Sequence, residues 1–187
     1  MTFKKSKGAV IWLTGYSGAG KSTIANAIET SFQDDEFRFD FLTDEYIGLV
    51  VLDGDTLRKG ICSDLGFSKE DREKNVLRTA HIANILAKSG LLVCVAFISP
   101  YNKDRKRARE ICEGSLFLEV FVGCPLDICK TRDPKGLYKR ADKGLIKNFT
   151  GISDPYEFPV SPDIILDTSS SSVEECVDQV LSKLSQF

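Results

Sequence analysis

"AVIWLTGYSGAGKST", residues 9–23, decides the fold. AVIWLT is apolar with almost no polar alternation, the pattern of a strand buried on both faces. It runs straight into Gly15-x-x-x-x-Gly20-Lys21-Ser22, the phosphate-binding loop pattern, and then into a helical segment. The residue types follow from the task. Glycines let the backbone turn so that its N–H groups point inward at phosphate oxygens, and the helix N-terminus adds partial positive charge. At average composition the pattern arises by chance in roughly one chain of this length in a hundred, and the strand–loop–helix setting lowers that further. Gly15, Ser17, Gly18, Ala19, Gly20, Lys21, Ser22 and Thr23 are therefore the candidate phosphate contacts. Lys21 is expected on the β- and γ-phosphates of a nucleotide, and the Ser22 hydroxyl on Mg²⁺.

Working outward, four more apolar runs read as buried strands: LVVL (49–52), LLVCVAFI (91–98), FLEVFV (117–122) and DIIL (163–166). Helical patterns separate them. Residues 68–89 open on Ser68 and Asp71 at capping-box spacing, and 172–184 open on Ser172 and Glu175 in the same way. Shorter helices are expected over 103–113 and 125–132. Strands without polar alternation, alternating with helices, imply a mostly parallel sheet covered on both faces. The expected fold is α/β, a three-layer phosphate-loop NTPase type, in one domain spanning 1–187.

Two segments stand out. In residues 30–46, Phe37, Phe39 and Phe41 alternate with charged residues, a period-two pattern that predicts an extra edge strand or hairpin. DPKGLYKRADKGLIKNFTG (133–151) carries Lys135, Lys139, Arg140, Lys143 and Lys147 among glycines, although the formal net charge of the chain is only −2. That near balance argues against a general nucleic-acid surface, which needs a strong basic surplus. Read alone, the basic segment, about 132–151, fits a surface loop or a lid over an anionic substrate.

Other classes recede. No apolar run approaches the ~20 residues of a membrane span, and the N-terminal MTFKKSKG leads into the first strand without a cleavage site, so a cytoplasmic setting is expected. The six cysteines (62, 94, 112, 124, 129 and 176) contain no C-x-x-C pair, and His81 is the only histidine, so reduced structural thiols are expected. The nearest approach to a guanine-specificity N-K-x-D is Asn102-Lys103-Asp104-Arg105, with the aspartate one place early. A small-molecule kinase is the leading class.

After LVVL comes Asp53-Gly54-Asp55, at the strand end where open α/β sheets hold ligands. Two carboxylates there suit a hydrated Mg²⁺ and an attacking hydroxyl. LDGDTLRKGICSDLGFSKEDREKN, FISPYNKDR, RDPKGLYKR and NFTGISDPYE together resemble the adenylylsulfate kinases, which use MgATP to phosphorylate the 3′-hydroxyl of adenosine 5′-phosphosulfate (APS). The resemblance runs from about Gly8 to the C-terminus with the motifs in matching order.

It implies that Asp55 is the catalytic carboxylate, with Asp53 its partner and, with Ser22, a metal ligand. It implies that Arg58, Arg72 and Asn75 hold the phosphosulfate and ribose of APS, and that Phe67 and Phe149 sandwich its adenine. Ile98, Ser99, Lys135 and Asn148 join this acceptor site, while Arg132 and Ser171 border the ATP base. Ser99 stands where a phosphoserine intermediate has been suggested in the family. In-line transfer to a bound hydroxyl needs no covalent relay, so substrate contact is the reading preferred for Ser99. The resemblance also implies a homodimer and a possible association with ATP sulfurylase. Three departures mark this chain: the Phe-rich insert, Lys139-Arg140-Ala141-Asp142 where relatives carry Lys-Lys-Ala-Arg, and Asn148 in place of a glycine. The readings kept beside it are a kinase for another small acceptor, such as a sugar acid or a nucleoside monophosphate, and a nucleotide-binding module without turnover.

Overall fold

A computed structural model describes residues 8–33 and 48–187. Five strands form one parallel sheet in the order β2-β3-β1-β4-β5, with β1 Ala9–Thr14, β2 Leu49–Asp53, β3 Leu92–Ala96, β4 Leu116–Gly123 and β5 Ile164–Asp167. β1 is central, paired from Ala9↔Leu92 on one side and Ala9↔Leu116 on the other. Every residue of β1 is buried, as its unbroken apolar run requires.

The pleat sends alternate residues of β1 to two separate cores. Ala9, Ile11 and Leu13 face α1 (Lys21–Gln33) and a C-terminal helix, Val173–Leu184, whose Cys176, Val177, Val180, Leu181 and Leu184 fill that side. Val10 and Trp12 face Val76, Ala80, Ala83 and Ala87 of the long helix Lys69–Lys88, together with Ala108 and Cys112. Helices on both faces confirm the three-layer α/β reading.

The helix starts carry the predicted caps. Ser172 Oγ accepts from Glu175 N (3.1 Å) while Glu175 Oε2 accepts from Ser172 N (2.8 Å), a complete capping box. Ser68 caps Asp71 N at 3.1 Å, but the Asp71 carboxylate turns to Gly66 N instead (3.0 Å), tying the helix to the preceding loop. In chain order the helices are α1, α2 (Gly54–Lys59), α3 (Lys69–Lys88), α4 (Asn102–Ile111), α5 (Leu126–Arg132), α6 (Leu137–Asp142) and α7 (Val173–Leu184).

Three expectations change. The third strand ends at Ala96, short of Phe97 and Ile98, although Phe97 N still donates to Leu13 O at 3.1 Å; Ser99, just beyond, adopts φ 36. The segment expected as a loop lid contains α6. The first helix runs to Gln33, so the Phe-rich insert does not begin at residue 30; Phe37, Phe39 and Phe41 lie outside the described residues. All six cysteines are buried and free, and His81 is exposed on α3. No helix among the described residues is long and apolar enough to cross a membrane.

Candidate active site

A cavity of about 1120 Å³ opens at the C-terminal edge of the sheet. It exceeds the roughly 300–1,000 Å³ usual for a single small ligand. Its floor is the loop between β1 and α1. Gly18 (φ 75) packs so close to α5 that a Cβ would lie 2.9 Å from the Cys129 carbonyl oxygen, which is why the position needs glycine. Lys21 folds back over this loop, donating from Nζ to the carbonyls of Gly15 (2.9 Å) and Tyr16 (2.6 Å). Burial pushes its ammonium down from 10.5 to about 8, since desolvation disfavours the charged form.

Ser22 Oγ donates to Asp53 Oδ2 at 2.6 Å. The other oxygen, Oδ1, caps α2 through Asp55 N (2.9 Å) and Thr56 N (3.4 Å). One carboxylate thus joins α1 to the end of β2 and aims Asp55 into the cavity. Asp55 forms an ion pair with Lys135, both side chains half-exposed. Ser22 and Asp53 offer hard oxygen donors side by side, fitting a magnesium ion that takes one carboxylate and completes its shell with phosphate oxygens and water. Among the described residues no group of three or more His, Cys, Asp or Glu could hold a metal by itself.

The opposite wall is cationic and aromatic. Arg58 bonds the carbonyls of Leu65 (3.1 Å) and Gly66 (2.8 Å), and its guanidinium sits 4.5 Å from the Phe67 ring centroid. Arg72 lies 5.6 Å from the same ring and donates from Nε to Phe67 O (3.1 Å) and from Nη2 to Asn148 O (2.7 Å). Phe67 is 50% exposed, a large ring held open by two guanidinium groups rather than buried in the core. Asn75 lines the cavity one helical turn on from Arg72, buried, with no hydrogen-bond partner for Oδ1. A buried amide oxygen without a partner points to a ligand donor at that place.

The roof is the segment 133–151. The Asp133 carboxylate caps α6 by accepting from Tyr138 N and Lys139 N, both at 3.1 Å. Tyr138 donates its hydroxyl to Ser17 O (3.0 Å) and meets Phe149 edge to face at 5.0 Å. Asn148 adopts φ 55, a left-handed conformation that asparagine tolerates best after glycine, so the turn forms without a glycine there. Arg140 lines the cavity, whereas Asp142 is exposed at the end of α6 and does not. On the nucleotide side, Arg132 Nη2 donates to Thr168 O (2.6 Å), and Thr168 Oγ1 donates to Ala19 O (2.8 Å), joining α5 to the loop.

Most of the expected site residues meet in this one cavity: Ser17, Gly18, Gly20, Lys21, Ser22, Thr23, Asp53, Asp55, Arg58, Phe67, Arg72, Asn75, Ile98, Ser99, Arg132, Lys135, Asn148, Phe149 and Ser171. Gly15 and Ala19 do not line it. Each supplies a backbone carbonyl to the scaffold instead, Gly15 to Lys21 and Ala19 to Thr168. Trp12, Asp133, Tyr138 and Thr168 were not anticipated, and Arg140, expected only as one of the basic residues of the 133–151 segment, lines the cavity. Thr168 alone left a usable signal, since it follows β5 at the ligand edge of the sheet.

Residues 7–167 match the Adenylylsulphate kinase family. The adenylyl-sulfate kinase of Marinobacter nauticus is 46% identical over 98% of this chain and 87% of its own length. That of Pseudomonas aeruginosa is 48% identical over 97% and 87%. The Mycobacterium tuberculosis APS kinase CysC, solved in complex with AMPPNP and APS, superposes with a TM-score of 0.87 at 41% identity, covering 96% of this chain and 98% of that one.

Proposed function

The chain belongs to the adenylylsulphate kinase family, and from that membership and the cavity geometry we propose that it transfers the γ-phosphoryl group of ATP to the 3′-hydroxyl of APS, giving PAPS and ADP. The observation that carries this reading is one cavity with two unlike halves. A glycine-rich phosphate loop with Lys21 faces a wall of Arg58, Phe67, Arg72 and Asn75, and Asp53 and Asp55 stand between them. A phosphate loop alone fits many NTPases; a second wall of guanidinium forks around an open aromatic ring fits an acceptor that is both anionic and planar.

In this reading ATP lies along the loop, its phosphates drawing Lys21 Nζ from the Gly15 and Tyr16 carbonyls. Arg132 and Ser171 border its base. Magnesium, held beside Ser22 and Asp53, supplies charge neutralisation on the phosphate oxygens. APS lies across the other half, its adenine between Phe67 and Phe149 and its phosphosulfate against Arg58 and Arg72. Asp55, released from Lys135 as that lysine turns to the acceptor anion, takes the proton of the 3′-hydroxyl. Catalysis is then positioning and electrostatics, the usual demand of phosphoryl transfer. We also propose one catalytic domain with 133–151 as its lid, a cytoplasmic setting, and the homodimer and possible ATP sulfurylase association that the family resemblance implies.

Coupled ADP release with and without APS tests the activity. Turnover is expected to depend on APS, with gluconate and nucleoside monophosphates inert in its place. ADP release at the same rate without APS, or with one of those acceptors, would overturn the substrate reading.

A further inference from the structure

The chain has a single tryptophan, Trp12, and it is fully buried in the middle of β1. Its ring packs on Phe97 (6.1 Å, edge to face) and Phe117 (5.9 Å, stacked). An indole N–H only donates, and in a dry core it must find an acceptor. Here it finds Ser99 Oγ at 3.1 Å, 87 positions further along the chain.

Ser99 is held with unusual care. Its φ of 36 is uncommon for a residue with a side chain, a conformation that persists only when its surroundings enforce it. Arg105, itself buried and paired with Glu119 at 2.8 Å, donates from Nη1 to Ser99 O at 2.6 Å. Thr14 Oγ1 reaches the neighbouring Ile98 O at 2.8 Å. Backbone and side chain are therefore fixed from two elements, β1 and α4, and the residue still lines the cavity.

The direction of the Trp12 bond matters. Accepting the indole N–H occupies one lone pair of the hydroxyl, and among the described residues the Ser99 O–H donates to no protein acceptor. No general base is hydrogen-bonded to it, as an activated nucleophile would require. What remains is a proton to donate toward the cavity. We propose that Trp12 is a positioning residue, whose indole N–H fixes the Ser99 hydroxyl as a hydrogen-bond donor to an oxygen of the acceptor nucleotide. The same contact makes the chain's one tryptophan a reporter of acceptor binding. This rests on the proposed function, with APS as the acceptor.

The test is a double-mutant cycle on the full chain with Trp12→Phe, Ser99→Ala and the double variant. It is read as KM for APS and as the dissociation constant of ADP. Each single variant is expected to raise KM for APS about five- to tenfold, the worth of one neutral hydrogen bond. The double variant is expected to be no worse than the weaker single one, because both remove the same interaction. The ADP constant stays within about twofold, which separates positioning from a general loosening of the fold. An unchanged KM in Trp12→Phe, or losses that multiply in the double variant, would overturn the proposal.

Tryptophan emission supplies a second arm that does not depend on Trp12→Phe folding. With ADP present, APS is expected to shift the emission of the unmodified protein and to shift that of Ser99→Ala far less. Equal shifts, or none in either protein, would overturn the reporter and with it the contact. APS-dependent ADP release by the unmodified protein is recorded in the same series. Its absence overturns the functional reading and the proposal together, whereas its presence with a flat cycle overturns the proposal alone.

Discussion

The floor and the roof of the cavity are built in opposite ways. The floor is local. Gly15, Tyr16, Gly18 and Lys21 lie within seven residues, bond mainly to one another, and stand on the fully buried β1. The roof, 133–151, is mostly exposed and is held by contacts distant in sequence: Tyr138 to Ser17, Lys135 to Asp55, and Arg72 to the Asn148 carbonyl. A phosphate cradle needs rigid N–H groups at fixed spacing, so it is written in adjacent residues. A cover that admits substrate needs weak, reversible ties, and those come from elsewhere in the chain.

The sharpest way to break this comparison is at the floor. Lys21→Ala is expected to lower turnover ~10²-fold or more, the scale seen when a transition-state donor is removed. Asp55→Ala, where floor and roof meet, should cost a similar factor, and steady-state ADP release measures both. Near-normal rates in the two variants would remove Lys21 and Asp55 from the chemistry.

The floor also predicts a pH dependence. Lys21 in the free protein titrates at about 8 because it is buried. Bound phosphates favour its charged form and raise that value, so above about pH 8 the complex carries more protons than the free protein. Nucleotide affinity is therefore expected to be level below pH 8 and to fall as pH rises past it. Calorimetric titration of ADP from pH 7 to 10 checks the sign. Lys21→Met should bind more weakly throughout and lose the step.

The roof should respond more mildly. Phe149→Ala is expected to weaken APS binding by ~1–3 kcal/mol, the usual value of a stacked base, with ADP affinity much less affected. Equal weakening of both ligands would make Phe149 a structural support for Tyr138 instead of a base platform. Smallest of all, Asp142→Arg should change nucleotide affinity less than twofold. Asp142 is exposed and outside the cavity, while Arg140 lines it. A clear tightening would mean that α6 turns this face toward the phosphates when the roof closes.

These contrasts track what could be read before the structure. Ser172 and Glu175 announced a capping box that is present in full, because a cap depends only on neighbours. Ser68 and Asp71 announced another, yet Asp71 turned to Gly66, a choice the spacing could not reveal. The basic segment read as a loop because its helix is only six residues long, stabilised by the Asp133 cap and by Tyr138 packed on Phe149. Its glycines suggested freedom of movement, but Gly136 and Gly144 sit at left-handed turns flanking α6, where a side chain would strain the backbone. The end of the third strand was misjudged because Phe97 and Ile98 are as apolar as the strand itself. The strand stops at Ala96, and the chain turns at Ser99, which Arg105 and Trp12 hold.

By itself the sequence determined the α/β class, the phosphate loop, the strand-end carboxylates and the family. These rest on hydrophobic period and short spacing, and both act between neighbours along the chain. The tertiary structure alone decided that Asp53 bridges Ser22 and Asp55, that Asp142 stands outside the cavity, and that Trp12 reaches Ser99 across 87 positions. Each of these depends on which groups burial brings together and leaves in need of a partner. A buried donor must be satisfied wherever the fold places an acceptor, and no local pattern records where that is.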